Sequence, residues 1–528
     1  MRLLLEAEPD RSLLRLDNRA TLRGDLQALY ALHADSMLWS DGRRPSAQAL
    51  ALLERFTHAD DDGLAPADYA AELLAARLAQ LQSDQTSTPR QWADWDFDVA
   101  TAAMRFVRHL HFGRIDPFQV GYKLKLSRAA IDVPALVLQL AGAVDVDALL
   151  SSIEPQFLHY RLLKQQLRRY RTLVPATDAM LPAFNTRSIG QGDSYSGIAL
   201  LRQRLSLLGE LNATDTAGAD DDRLTPELSD ALRSFQRDHG LNEDGVLGKG
   251  TLRALNLPTA FRIRQIELSM ERWRWLPEIK AATIVVNIPQ FRLFAFDSNE
   301  DREENLLTMA VVVGQSFPAR QTPVFVGDLK FVVFRPYWDV PSSIARAEIL
   351  PALARDPHYL ERQHMELVRG SGDDATVVPA SSTNLHLLGN GQTRLRQRPG
   401  PDNALGDIKF LFPNPYNVYL HSTPARKLFA LSRRAFSHGC IRVEDPAALA
   451  GYVLRNEPEP WSPAAIAAAM SGLPNQRVVL AHSIPVMILY ATAVATESGR
   501  LYLLDDLYGL DRELEQRLGL TAIAGSTE

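Results

Sequence analysis

Cysteine is nearly missing from this chain: among 528 residues there is one, Cys440. A lone thiol closes no intramolecular disulfide, so packing has to hold the cores, and the sequence as given offers no N-terminal cysteine for a lipid anchor. A basic excess is missing too. Lys and Arg number 57 against 63 Asp and Glu, a net charge of -6, which argues against a general nucleic-acid binder. No apolar run reaches the ~18 residues of a membrane-spanning helix. The most apolar stretch, Val478 to Ala495, is broken by His482, Ser483 and Pro485 and reads as two buried strands. The opening Met1-Arg2-Leu3-Leu4-Leu5-Glu6-Ala7-Glu8 turns acidic too early for a secretory leader, so no export signal is read there. The histidines are scattered and form no ligand cluster with the single cysteine, and neither metal nor cofactor is expected.

What is present is length and a 46% hydrophobic content, enough for several cores and roughly three domains. From about 20 to 175 the apolar residues recur at helical spacing: Leu26, Leu29 and Tyr30; Leu50, Leu52 and Leu53; Ala70, Leu73, Leu74 and Leu78; Ala102, Ala103, Phe106, Val107 and Leu110. Asp61-Asp62-Gly63 and Gly113 punctuate them as turns. Residues 185–257 form a small unit, with a stripe of Ile198, Leu201, Leu205 and Leu208 stopped by Gly209. A second helix, capped by Thr225-Pro226 and stopped by Gly240, and a short third at 251–255 follow around the Asp244-Gly245 turn. The Asp220-Asp221-Asp222 run reads as a solvated loop. Glu267 to Pro277 is predicted helical. From Thr283 onward β-rich runs take over, predicting a β-sandwich or open barrel, with the strand pattern lapsing between 341 and 399, where 348–357 looks helical. The fold class is α+β and multidomain: helices over 1–180, the small unit at 185–257, a helical linker at 258–282 and a mostly-β domain at 283–510 carrying an insertion at 341–399.

The surroundings of Cys440 carry the chemistry. Buried inert cysteines have apolar neighbours, whereas this one stands in Ser437-His438-Gly439-Cys440-Ile441-Arg442. Cationic company favours a thiolate, and Gly439 leaves room for a substrate backbone. Upstream, Val418-Tyr419-Leu420-His421 alternates as a strand, putting Tyr419 and His421 on one face. Downstream, Asp445-Pro446 is an N-cap followed by Pro at N1, opening a helix. Cys440 is read as nucleophile, His421 as general base and the backbone N–H groups around Gly439 and Cys440 as oxyanion donors. His438 shares a face with Cys440 and either assists the thiolate or braces the loop through its ring, the second being favoured because a base is aimed from across the site. Arg442 is either a loop-bracing ion pair or a bidentate clamp on a substrate carboxylate. Trp338 and Tyr337 either line the cleft or belong to the core.

His421-Ser422-Thr423 followed by Ser437-His438-Gly439-Cys440-Ile441-Arg442 resembles the signature of the L,D-transpeptidase catalytic domain. Phe410 to His421 and Arg433-Arg434-Ala435-Phe436 resemble its large YcbB-type subgroup, as does Arg at 442 where smaller members often have Asn. Asp62 to Tyr69 and His111-Phe112-Gly113-Arg114 resemble that subgroup's helical scaffold, and Ala231 to Leu255 resembles the peptidoglycan-binding type 1 module. The resemblance implies that Cys440 attacks a peptidoglycan tetrapeptide stem, that His421 deprotonates it, and that 341–399 is a helical capping insertion over the cleft. It implies substrate contacts at Arg442, Tyr419, Ser437, Ser422 and Trp338, a periplasmic location despite the absent leader, and acylation of Cys440 by carbapenems. Transfer to a diaminopimelate amine would give a 3-3 cross-link; transfer to water makes an L,D-carboxypeptidase, and transfer to a lipoprotein lysine an envelope tether. Other cell-wall synthesis proteins stay open as partners. The rivals are a non-catalytic wall-binding scaffold, opposed by the intact Cys440 and His421, and a papain-like protease, opposed by a histidine that precedes the cysteine.

Overall fold

The computed structural model describes residues 19–122, 129–177, 179–211, 222–370, 372, 375–389, 391–459, 461–521 and 523; Met1–Glu8, Asp220 and Asp221 lie outside them. Two compact units emerge, Met1–Glu278 together with Tyr490–Glu528, and Ile279–Leu489. Among the described residues no helix is long and apolar enough to cross a membrane.

The first unit is helical. Its longest helix, Pro89–Phe112, starts on a capping box between Thr88 and Gln91 with Pro at N1, and buries Trp92, Trp95, Val99, Phe106, Val107 and Leu110. Around it pack Ala47–Thr57, Ala71–Ser83, Val133–Ala141 and Val146–Ile153 in one core. The helical stripes expected from spacing are buried except at Leu50 and Leu73, which are exposed. Asp62, in the turn expected before Gly63, is fully buried. Arg55 reaches it at 2.7 Å, Lys164 pairs with it and with Glu154, and Arg274 donates to its carbonyl oxygen. Removing one partner from such a buried cluster leaves an uncompensated charge, so it acts as a lock between distant helices.

The small helical segment is formed as the sequence predicts: Ile198–Leu208 ends at Gly209 in the left-handed region, and Thr225 caps Pro226–Asp238 through Leu228 N–H. The buried Gln236 amide holds the Asp244-Gly245 turn by accepting from Gly245 N–H at 2.8 Å and donating to Val246 C=O at 3.0 Å. The helix expected to end at Pro277 runs Thr259–Arg274. It also fixes the end of the chain, where the structure differs from a β domain reaching residue 510. Ala493–Ala495 pairs with Leu501–Leu503 as a hairpin in the first unit, because Ala493 N–H donates to Ser269 Oγ and Gln265 donates to Leu504 C=O, both at 2.9 Å.

The second unit is a closed barrel. Strand order is Ala435–Ser437, Leu307–Gly314, Ile441–Val443, Leu420–His421, Ile408–Leu411, Phe325–Phe334, Gln476–Leu489, Thr283–Asn287, Arg292–Phe296, and the last of these pairs back onto Leu307–Gly314. Closure removes the free edges that an open sheet would expose. Val478 to Leu489 belongs to one long strand and not to two, with an irregularity between Val479 and Ile484 that absorbs the polar His482-Ser483 pair. The insertion carries helices, as expected, and also a four-stranded sheet in the order Trp338–Asp339, Arg394–Gln397, Met365–Arg369, Thr376–Val378. Its own core includes Val340, Ile349, Leu360, Leu367 and Leu395.

Candidate active site

The strand that carries His421 and the strand that follows Cys440 are neighbours in the barrel. Leu420 and His421 pair in parallel with Ile441 and Arg442, and Lys409 stands opposite His421 on the other side. The approach to this strand is knitted by Asn414, whose side chain donates to Phe412 and Val418 C=O and accepts from Tyr416 and Val418 N–H. That network holds Asn417 at a positive φ of 53°, with its carbonyl 3.6 Å from Cys440 Sγ.

His421 is buried, and its Nδ1 lies 2.5 Å from the Ser422 carbonyl oxygen. A carbonyl only accepts, so the Ser422 oxygen sets the hydrogen on Nδ1; the Leu405 carbonyl also faces the ring. Burial first, then the Arg442 and Lys409 charges, push the imidazole pKa down to about 3. Burial also pushes the Cys440 thiol up; hydrogen bonds from the Tyr419 N–H and hydroxyl and the charges of Lys409 and Arg442 oppose it without winning. Arg442, the cationic neighbour read from sequence, acts on the thiol, but desolvation outweighs it. Both shifts favour the neutral forms, a thiol and an uncharged imidazole.

Tyr419 shares the His421 face as predicted, the rings 5.6 Å apart. Its hydroxyl is hydrogen-bonded by Trp338 and reaches Cys440, and Lys409 Nζ sits 3.9 Å over its ring. Trp338 thus touches the site while also packing against the insertion's core. Tyr337 is stacked instead under Arg396, 4.2 Å from ring centroid to guanidinium. Arg442 makes no ion pair among the described residues, and its buried Nε has no hydrogen-bond partner.

The remaining residues hold backbone. Ser437 is buried; its hydroxyl donates to Cys440 C=O at 2.5 Å and accepts from Gly439 N–H at 3.1 Å. That hydroxyl proton is spent inside the loop and not on a substrate, and the Gly439 N–H, expected as an oxyanion donor, is already bonded. Ser422 contributes its carbonyl; its Oγ fits because Gly406 has no side chain, since a Cβ there would lie 2.5 Å from it. The ring of His438 turns to the insertion, Nε2 standing 2.7 Å from Glu348 Oε1, which Arg320 also approaches at 3.2 Å. Gly439 sits at φ +116°, a region where side chains are strained. Sequence reasoning missed Lys409 and Glu348. The signal for Lys409 was a charge between apolar residues in Ile408-Lys409-Phe410; Glu348 had none.

Comparison with known proteins places these features in a context. Residues 281–466 match the family model described as L,D-transpeptidase catalytic domain, residues 194–255 that described as "Putative peptidoglycan binding domain", and residues 24–167 the scaffold domain. A Haemophilus influenzae protein named "Putative L,D-transpeptidase" is 31% identical over 251 residues, which is 48% of this chain and 49% of that one. The match spans about half the length of that relative. Two crystal structures are similar at 14% identity: an L,D-transpeptidase from Xylanimonas cellulosilytica, covering 58% of this chain and 100% of its own at a TM-score of 0.17, and a fused Zn-dependent amidase/peptidase/peptidoglycan-binding domain-containing protein from Clostridium acetobutylicum, covering 57% and 99% at 0.16.

Proposed function

From the L,D-transpeptidase catalytic domain that this chain carries, we propose that the protein is a cysteine acyltransferase of peptidoglycan, working outside the cytoplasmic membrane on tetrapeptide stems. The observation that carries the reading is Cys440 at the head of the strand that pairs with the one bearing the buried His421, whose Nδ1 is fixed on Ser422 C=O, with Tyr419, Lys409 and Arg442 acting on the sulfur. His421 Nε2 takes the thiol proton as the sulfur–carbon bond forms at the carbonyl before the terminal D-alanine. The oxyanion is met by the Cys440 N–H, the C–N bond breaks, and the proton on His421 leaves with the D-alanine amine. A diaminopimelate side-chain amine then attacks the thioester, returning its proton through His421 and leaving a 3-3 cross-link. Arg442, with its unpaired buried Nε, suits a stem carboxylate.

His438 is a brace in this scheme, since its ring is bonded to Glu348. Incubation with purified tetrapeptide muropeptides, followed by mass analysis, tests the reading. Cross-linked dimers with released D-alanine are expected. Tripeptide alone would make water the acceptor, and no turnover would favour a wall-binding scaffold.

A further inference from the structure

The peptide unit between Gly439 and Cys440 is pinned by one side chain from elsewhere in the barrel. Thr322 is buried, and its hydroxyl donates to Gly439 C=O at 2.9 Å while accepting from Gly314 N–H at 2.9 Å. Gly314 is the last residue of its barrel strand. The segment bearing Thr322 lies flat on it: a Cβ at 314 would stand 2.1 Å from Arg320 O and 2.6 Å from Thr322 N. Thr322 therefore has little freedom of its own. In a planar trans peptide the C=O and N–H point in opposite directions, so fastening the Gly439 oxygen to the wall turns the Cys440 N–H away from it. That N–H has no partner among the described residues, whereas the Gly439 N–H is taken by Ser437. With φ at +116°, Gly439 has a conformation that other local minima could replace if the anchor were lost.

We propose that Thr322 is a positioning residue for acyl transfer: its hydroxyl orients the Gly439–Cys440 peptide so that the Cys440 N–H faces the oxygen of the acyl group under attack. This rests on the reading of Cys440 as an acylated nucleophile. A donor fixed in advance stabilises developing charge without reorganisation, whereas a peptide free to rotate loses much of that advantage. The Thr322 hydroxyl is spent on the Gly314 N–H and the Gly439 C=O, so its action on the acyl group would run through that peptide.

Two reactions at the one cysteine separate this role from general support. Acylation by p-nitrophenyl acetate forms the sulfur–acyl bond, sends the thiol proton to His421 and expels nitrophenolate through an oxyanion. Alkylation by iodoacetamide displaces iodide at a saturated carbon and needs no oxyanion donor. Both rates are measured on the full chain, with Cys440→Ala as blank, for wild type, Thr322→Val and Thr322→Ser. For Thr322→Val we expect acylation to fall ~10- to 100-fold with alkylation within about twofold, and for Thr322→Ser a recovery to within about threefold of wild type. If the valine variant does not fold, Thr322→Ala takes its place with the same expectation. Unchanged acylation, a parallel fall in alkylation, or failure of serine to restore the rate would each overturn the proposal. A wild type that is alkylated but never acylated would instead remove the acyl-transfer reading beneath it.

Discussion

Replacing Ser437 by alanine isolates the loop that presents the nucleophile. The hydroxyl closes a three-residue turn, giving one hydrogen bond to Cys440 C=O at 2.5 Å and taking one from Gly439 N–H at 3.1 Å. The side chain is buried, so water does not readily replace it. Each backbone group left unpaired costs about 1–3 kcal/mol, and the pair together about 2–4 kcal/mol if the loop relaxes in part. Were that cost carried by the conformation that holds Cys440, acylation would fall ~30- to 1,000-fold, since about 1.4 kcal/mol is a factor of ten. The strands Ala435–Ser437 and Ile441–Val443 keep their barrel pairings, so the fold survives with a melting temperature lower by roughly 4–16 °C. Single-turnover acylation by a reactive acyl donor, read beside calorimetry, tests this. Acylation within about threefold of wild type would show that the hydroxyl does not brace the loop, because losing both bonds has to cost more than that.

Alkylation of Cys440 by iodoacetamide is expected to keep rising with pH beyond 9, since burial raises the thiol above its ordinary value of 9.0 and His421, at about 3, stays neutral throughout. A plateau reached by pH 7 would indicate a preformed thiolate–imidazolium pair. Lys409→Met moves the alkylation profile further upward, because the Lys409 charge pulls the thiol down; a downward move would contradict its assigned influence. His421→Ala is expected to reduce acylation ~10²- to 10⁴-fold, the range of general acid–base catalysis, with His438→Ala costing far less; equal losses would exchange their roles. A carbapenem should leave one adduct on the intact protein, absent in Cys440→Ala and slower to form in Arg442→Ala, and an unmodified wild type would exclude the lactam from the site.

Much of the site could be read along the chain because it depends on local order. The alternation over Val418 to His421 put Tyr419 and His421 on one face, and Asp445-Pro446 opened its helix as expected, Asp445 accepting from Ala448 N–H at 2.9 Å. What the sequence concealed depends on pairings between distant segments. Lys409 reaches the thiol only through the register that sets it beside His421. Glu348 meets His438 across 90 positions and Thr322 meets Gly439 across 117. The direction of the thiol pKa was equally hidden, since it turns on burial and not on which charges are near. The sheet in the insertion escaped notice because its strands Met365–Arg369 and Arg394–Gln397 are short and each carries two charged residues. Asp62 was legible only as part of a turn; its burial rests on Arg55, Lys164 and Arg274, which arrive from other segments.

Intact-protein mass measurement during turnover of a tetrapeptide muropeptide shows whether Cys440 carries the stem peptide as a thioester. Wild type is expected to gain the mass of the stem minus D-alanine, with free D-alanine appearing in step, and Cys440→Ala to gain nothing and release none. Release of D-alanine by Cys440→Ala at the wild-type rate would contradict it.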